Sequence, residues 1–195
     1  MNGSYDLLIV GVGGQGTILA SNVLGEACLA EGKSVRGAET HGMSQRGGSV
    51  ESQIRIGGDY GPLISPGTAD MIISFDMLEA LRYRHFLKDG GVIVTNKNLV
   101  VPTSVFQQGL EVPVPEDTVQ SLDDVNLYVI DAEMIASEAG STLAQNIVML
   151  GSASVFMPLS VDSLLKAIKR SVPPKTVDIN VAAFNMGREA AERLI

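Results

Sequence analysis

An unbroken apolar run, Leu7-Leu8-Ile9-Val10, gives way to Gly11-Val12-Gly13-Gly14-Gln15-Gly16. A stretch with apolar residues at Ile18, Leu19, Val23 and Leu24 follows. The order reads as buried strand, glycine loop and amphipathic helix, which is the start of a Rossmann-like nucleotide fold. Glycine takes positive φ freely and lets a ligand approach the backbone closely. The helix that follows offers N–H groups with no intrahelical partner and a partial positive charge. A phosphate or carboxylate fits above such a loop, so Gly11, Gly13, Gly14, Gln15 and Gly16 are candidate binding residues. Alone the spacing is weak evidence, since glycine-rich turns between strand and helix also occur without a ligand.

A second segment strengthens the case. Glu39-Thr40-His41-Gly42-Met43-Ser44-Gln45-Arg46-Gly47-Gly48 gathers an acid, an imidazole, hydroxyls, an amide and a guanidinium among glycines. It follows a predicted strand at about 33–39. Ligands of open α/β sheets bind beyond the carboxyl ends of parallel strands. If the first two strands are parallel neighbours, both segments emerge at one edge.

The rest of the chain alternates. The pattern predicts a first strand over about 5–10 and a helix over 15–31 ended by Gly32 as a C′ glycine. Residues 49–56 alternate loosely with period two, which predicts a returning antiparallel strand with one wet face. Turn residues from Gly57 to Gly67 follow. A buried strand at 71–75 leads to a helix capped by Asp76, with Glu79 three residues on as in a capping box. Gly90-Gly91 ends that unit, and 92–95 is a further strand. Residues 96–126 are punctuated by Pro102, Pro113 and Pro115, with a short strand expected at 110–114. A last strand at 127–130 precedes helices at about 132–139, 143–156, 161–171 and 177–194. Strands alternating with helices predict the α/β class, as a three-layer α/β/α sandwich with a mixed, Rossmann-like sheet. The 195 residues suit one domain, 1–195.

Composition excludes several functions. Hydrophobic residues make up 45% of the chain, yet no apolar run is long enough to span a bilayer. The N-terminal residues lack the basic start of a signal peptide. A single cysteine, Cys28, leaves no internal disulfide and no cysteine-ligated cluster. These features point to the cytoplasm. A formal net charge of −8 argues against a nucleic-acid partner. No zinc spacing, Ser-His-Asp order or thiamine motif is legible; Gly57-Gly58-Asp59 lacks a downstream Asn pair.

The candidate residues carry competing readings. His41 moves or orients a proton, or is a satisfied loop histidine. Arg46 clamps a carboxylate or phosphate, or is a surface charge. Glu39 lies where a dinucleotide fold puts its ribose-binding acid; it could equally orient His41 or Arg46. Asn146 caps the helix it begins, or faces the site. His85 reads as solvated and Cys28 as a core thiol.

The two N-terminal motifs, GVGGQGTILASNVLGEA and ETHGMSQRGGSVESQIRIG, resemble the gamma-type subunit of 2-oxoacid:ferredoxin oxidoreductases. The ETHGMSQRGG form is most similar to the beta subunit of indolepyruvate oxidoreductase. The likeness continues through Asn146 to Gly151 and through Asn180, Phe184, Asn185 and Gly187. It implies a subunit inactive alone that shapes a shared substrate and coenzyme A site during oxidative decarboxylation of an aryl 2-oxoacid. His41 and Arg46 would serve the shared catalytic site, with Ser44, Gln45, Gly47, Glu39 and Asn146 joining the glycine loop in binding. The resemblance implies that thiamine diphosphate, magnesium, iron–sulfur clusters and coenzyme A belong to the complex, with none assigned to this chain. It implies a thiamine and iron–sulfur subunit as partner and ferredoxin as acceptor; a homodimer stays open. The rival readings are an autonomous NAD(P)-binding protein and a purely structural assembly subunit.

Overall fold

The computed structural model describes residues 3–41, 48–101, 105, 111–112 and 114–195, with His41 described by its backbone alone. Its centre is a six-stranded sheet in the order β2-β3-β1-β4-β5-β6. The strands are β1 (Tyr5–Val12), β2 (Val35–His41), β3 (Ser49–Ile56), β4 (Ala69–Ser74), β5 (Leu87–Asn96) and β6 (Asn126–Ile130). β1, β4, β5 and β6 are parallel, while β3 runs antiparallel between β1 and β2. The sheet is therefore mixed, as the pattern of 49–56 predicts. The expected adjacency of the first two strands is not found, because β3 inserts between them.

Helices cover both faces. Side chains alternate along a strand, so Leu7 and Ile9 enter one apolar cluster and Leu8 and Val10 another. The larger cluster is closed by α1 (Thr17–Ala30), α4 (Ala132–Glu138), α5 (Gln145–Ala153), α6 (Val161–Ser171) and α7 (Val177–Glu192). The smaller one lies under α2 (Met77–Tyr83) and the stretch that follows α3 (Pro115–Gln120), where Leu122 is buried. β3 departs from the expected wet face. Ser52, Gln53 and Arg55 are all buried, because both sides of this strand are covered. Gly90-Gly91 also lies inside β5 rather than before it. Gly90 has φ +73° and the register against β4 shifts there, as at a bulge. Residues 111, 112 and 114 have no regular structure, and the rest of the expected strand at 110–114 falls outside the described residues.

Local chemistry accounts for the helix ends. Gly32, at φ +68°, follows α1; its N–H bonds Leu29 O and that of Lys33 bonds Cys28 O, the Schellman pair of hydrogen bonds. Asp76 caps α2 by accepting from the N–H groups of Leu78 and Glu79. α3, which the sequence pattern missed, starts on Pro115, a residue suited to the first helical turn. Cys28 is buried in the larger cluster, and burial pushes its thiol up to about 11.

Glu31 joins two helices. It accepts from Lys33 Nζ at 2.7 Å and from the Ser160 N–H at 2.7 Å, beside the start of α6. Lys33, foremost, holds its carboxyl at about 2, below the ordinary 4.5. A depressed carboxyl adds stability above its unfolded pKa and loses it as pH falls through the folded value. The stability gap between wild type and Glu31→Gln should thus be full above about pH 4.5 and close as pH approaches 2. Urea denaturation across that range measures it; a gap independent of pH would contradict the assignment.

Candidate ligand-binding site at the strand ends

The parallel strands β1, β4 and β5 end at one edge, on Val12, Ser74 and Asn96. There, Gly14 and Gln15 face Phe75, Asn96, Asn98, Thr142, Leu143, Gln145, Asn146 and Met149 across a cavity of about 220 Å³. A larger groove, about 810 Å³, runs between the outer face of α1 and β2. The smaller cavity is the better candidate, because it sits where the carboxyl ends of three parallel strands, the glycine loop and the start of α1 converge.

Each wall is fixed by backbone chemistry. The Gln15 side chain folds back to accept from the Val12 N–H at 2.7 Å, and Gln15 N–H bonds Val12 O at 3.1 Å. A methyl group on Gly11 would meet the same Gln15 side chain at 2.7 Å and Phe75 at 3.1 Å, so a larger residue there would displace the Gln15 amide from Val12. Gly16 caps α1 at φ +85° with no side-chain hydrogen bond, so among the described residues the first-turn N–H groups meet no side-chain acceptor. On the opposite wall, Asn96 accepts from the Ala132 N–H at 3.2 Å, and its amide lies 3.4 Å from Gln145 Oε1. Asn98 is placed by Met77 N–H, which bonds its carbonyl at 2.9 Å, and nearby Val100 N–H bonds Asp76. Asp76 is itself fully buried, and burial pushes its carboxyl above the usual range.

Five carboxamides, those of Gln15, Asn96, Asn98, Gln145 and Asn146, thus line the cavity beside the Thr142 hydroxyl. Amides both donate and accept hydrogen bonds, so they suit a polar ligand, including an anionic one met by the α1 terminus. None of these lining groups titrates near neutrality or is an activated nucleophile. The cavity can bind and orient; it cannot by itself move a proton or attack a carbonyl.

The structure brings some of the expected site residues together and not others. Gly14, Gln15 and Asn146 line the cavity, and Gly11 and Gly16 shape the turn. Asn146 faces the loop: its amide lies against Gly16, 3.5 Å from the carbonyl oxygen. The Gly13 N–H is not open to a ligand, since it bonds Gly48 O at 2.8 Å. His41 ends β2 opposite Val50, which is opposite Gly11; its backbone thus stands about 10 Å, two strand spacings, from β1. Glu39 lies on the same edge strand and lines the larger groove. With β3 between β1 and β2, it does not flank the glycine loop as a ribose-binding acid would, so the geometry does not favour the dinucleotide reading. Ser44, Gln45, Arg46 and Gly47 lie outside the described residues. Asn96, Asn98, Thr142 and Gln145 were not anticipated; polar residues just past a buried strand and a Gln-Asn pair opening a helix were their only signals.

Gly16 permits a direct test of this wall. A methyl group there would come 2.4 Å from Asn146 Nδ2, besides meeting the left-handed backbone penalty of roughly 1–2 kcal/mol. Gly14, at φ +104°, meets a backbone penalty too, but its added carbon would touch nothing within 4 Å. Gly16→Ala should therefore cost more stability than Gly14→Ala and displace the Asn146 amide signal in NMR spectra. Equal costs with an unmoved Asn146 would refute the contact.

Fold and cavity define an α/β unit with a polar cavity at the carboxyl ends of its parallel strands. A family model described as pyruvate ferredoxin/flavodoxin oxidoreductase matches residues 6–190. The chain is 41% identical to the indolepyruvate oxidoreductase subunit IorB of Thermococcus kodakarensis, over 98% of each chain. It is 32% identical to the 2-oxoglutarate synthase subunit KorC of Methanothermobacter thermautotrophicus, over 94% of this chain and 93% of that one. The solved gamma subunit of a keto/oxoacid ferredoxin oxidoreductase from Geobacter sulfurreducens superposes with a TM-score of 0.74 at 26% identity, covering 97% of this chain and 99% of that one. The chain belongs to the pyruvate ferredoxin/flavodoxin oxidoreductase family, as a gamma-type subunit of a 2-oxoacid:ferredoxin oxidoreductase.

Proposed function

We propose that the whole chain, 1–195, is one gamma-type unit serving oxidative decarboxylation of an aryl 2-oxoacid such as indolepyruvate. The observation that carries the substrate class is the 41% end-to-end identity to IorB, against 32% to the 2-oxoglutarate relative. In this reading the amide cavity and the start of α1 orient an anionic group of substrate or coenzyme A at the mouth of the partner's site. Arg46 and His41 would complete that mouth, with Glu39, Ser44, Gln45 and Gly47 as further binding residues. The redox groups belong to another subunit. Among the described residues no three His, Cys, Asp or Glu side chains gather to hold a metal, and the one cysteine is buried in the core. One cysteine cannot supply the thiolates an iron–sulfur cluster needs. The partner is a thiamine and iron–sulfur subunit, with ferredoxin as electron acceptor, and the complex works in the cytoplasm. Among the described residues no helix is long and apolar enough to cross a membrane.

The test is reconstitution. Purified alone, the chain should not oxidise indolepyruvate, phenylpyruvate, pyruvate or 2-oxoglutarate. With the partner subunit added, coenzyme A-dependent reduction of ferredoxin should appear, with indolepyruvate preferred. Turnover by the chain alone would overturn the subunit reading, and preference for 2-oxoglutarate would overturn the substrate class. Normal turnover from an assembled complex carrying Arg46→Lys, His41→Asn and Asn146→Ala together would leave the chain a structural subunit.

A further inference from the structure

A buried carboxylate stands outside the cavity, on the other face of the sheet. Glu79, in the first turn of α2, is only 4% exposed. In a capping box its side chain would return to the backbone of Asp76. Here both oxygens are engaged elsewhere: Oε2 accepts from Ser49 Oγ at 2.5 Å, and Oε1 pairs with Arg82 at 3.1 Å. Tyr83 places its hydroxyl 3.3 Å from the same Ser49 oxygen. Asp76 already caps the helix, so α2 does not require the acid for its own start. Burying a carboxylate is costly unless it meets a specific donor.

That donor sits at a junction. Ser49 opens β3 and pairs with Val12, the last residue of β1. The residue before it, Gly48, accepts from the Gly13 N–H. Glu79, Ser49, Gly48 and Gly13 form a continuous path from α2 to the glycine loop. We propose that Glu79 is a positioning residue, which fixes the glycine loop and the start of α1 through Ser49. Its consequence for coenzyme A rests on the function proposed above.

Two measurements test this. In the full chain, Ser49→Ala should accelerate hydrogen exchange at the Gly13 amide about tenfold, the equivalent of losing one charge-assisted hydrogen bond, while β4 and β5 stay protected. Ser49→Thr, which keeps the hydroxyl, should restore protection. Glu79→Leu should match Ser49→Ala, and the double variant should add nothing further, since both break one contact. In the reconstituted complex, Ser49→Ala should raise the KM for coenzyme A about tenfold with kcat little changed, and Ser49→Thr should reverse it. Unchanged exchange, or additive effects in the double variant, would overturn the path from Glu79 to the loop. Faster exchange with an unchanged KM would overturn its role in positioning for the reaction. A wild-type complex without coenzyme A-dependent turnover would remove the proposed function, while exchange would still decide the path.

Discussion

Gly151→Ala should cost about 3–5 kcal/mol of folding stability, at the severe end for one substitution. A methyl group at this position would lie 2.0 Å from Phe184 O and 2.8 Å from its carbonyl carbon. Those atoms belong to the backbone of α7, which cannot rotate aside as a side chain would. The crossing is reciprocal, for a methyl group on Gly187 would lie 2.2 Å from Val148 O. Ser152 is fitted into the same crossing, donating from Oγ to Gly187 O at 2.8 Å. The extra carbon must separate α5 from α7, forfeiting contacts of buried Val148, Phe184 and Ala183 in the larger apolar cluster. Gly25→Ala is the control. It lies in the interior of α1 with nothing within 4 Å of the added carbon, and should stabilise by up to about 1 kcal/mol. Urea denaturation followed by circular dichroism compares them. A Gly151→Ala protein as stable as wild type would show that the helices do not need this approach.

Asp6→Ala should cost nearly as much, about 3–5 kcal/mol, by stranding a buried guanidinium. Arg55 donates from Nε to Asp6 Oδ1 at 2.8 Å and from Nη2 to Oδ2 at 2.7 Å. Both residues are buried, at 8% and 5% exposure. Asp6, foremost, holds the guanidinium pKa above its ordinary value; with the acid gone Arg55 still keeps its charge, because a guanidinium is not deprotonated in proteins. Its remaining Nη1 reaches Gly61 O, pinning the turn between β3 and β4. Removing the acid leaves a buried charge with one carbonyl and the Tyr60 ring, 5.9 Å away, as its partners. Asp6→Ala with Arg55→Leu should recover part of the loss, because the stranded charge is gone, while the smaller pair leaves some space unfilled. A double variant no more stable than Asp6→Ala would mean the cost came from elsewhere.

Much of this architecture can be read from residue patterns because it depends on local periodicity. Leu7-Leu8-Ile9-Val10 reads as a strand buried on both faces, and Gly32 reads as a helix stop, each for a reason contained within a few neighbours. Strand order is different. Nothing in Ser49–Ile56 reveals that it lies between β1 and β2, because pairing is settled by distant contacts. That insertion separates Glu39 from the glycine loop and defeats an argument based on its distance along the chain. The cavity was half legible. Gly14, Gln15 and Asn146 stood in noticeable motifs, whereas Asn96, Asn98 and Gln145 become a site only when three strand ends meet. The resemblance at Asn146 to Gly151 and at Phe184 to Gly187 also acquires a cause, since these motifs contain the two glycines of one helix crossing.

That crossing sets a schedule for synthesis. The glycine loop leaves the ribosome before its wall does, for that wall includes Asn146 on α5, and α5 seats against Gly187. A nascent chain stopped before residue 187 can pair β1 with its neighbours, yet it leaves the far side of the loop unbacked. The loop is thus backed only once α7 has been made, so this side of the binding site is completed well after its glycines.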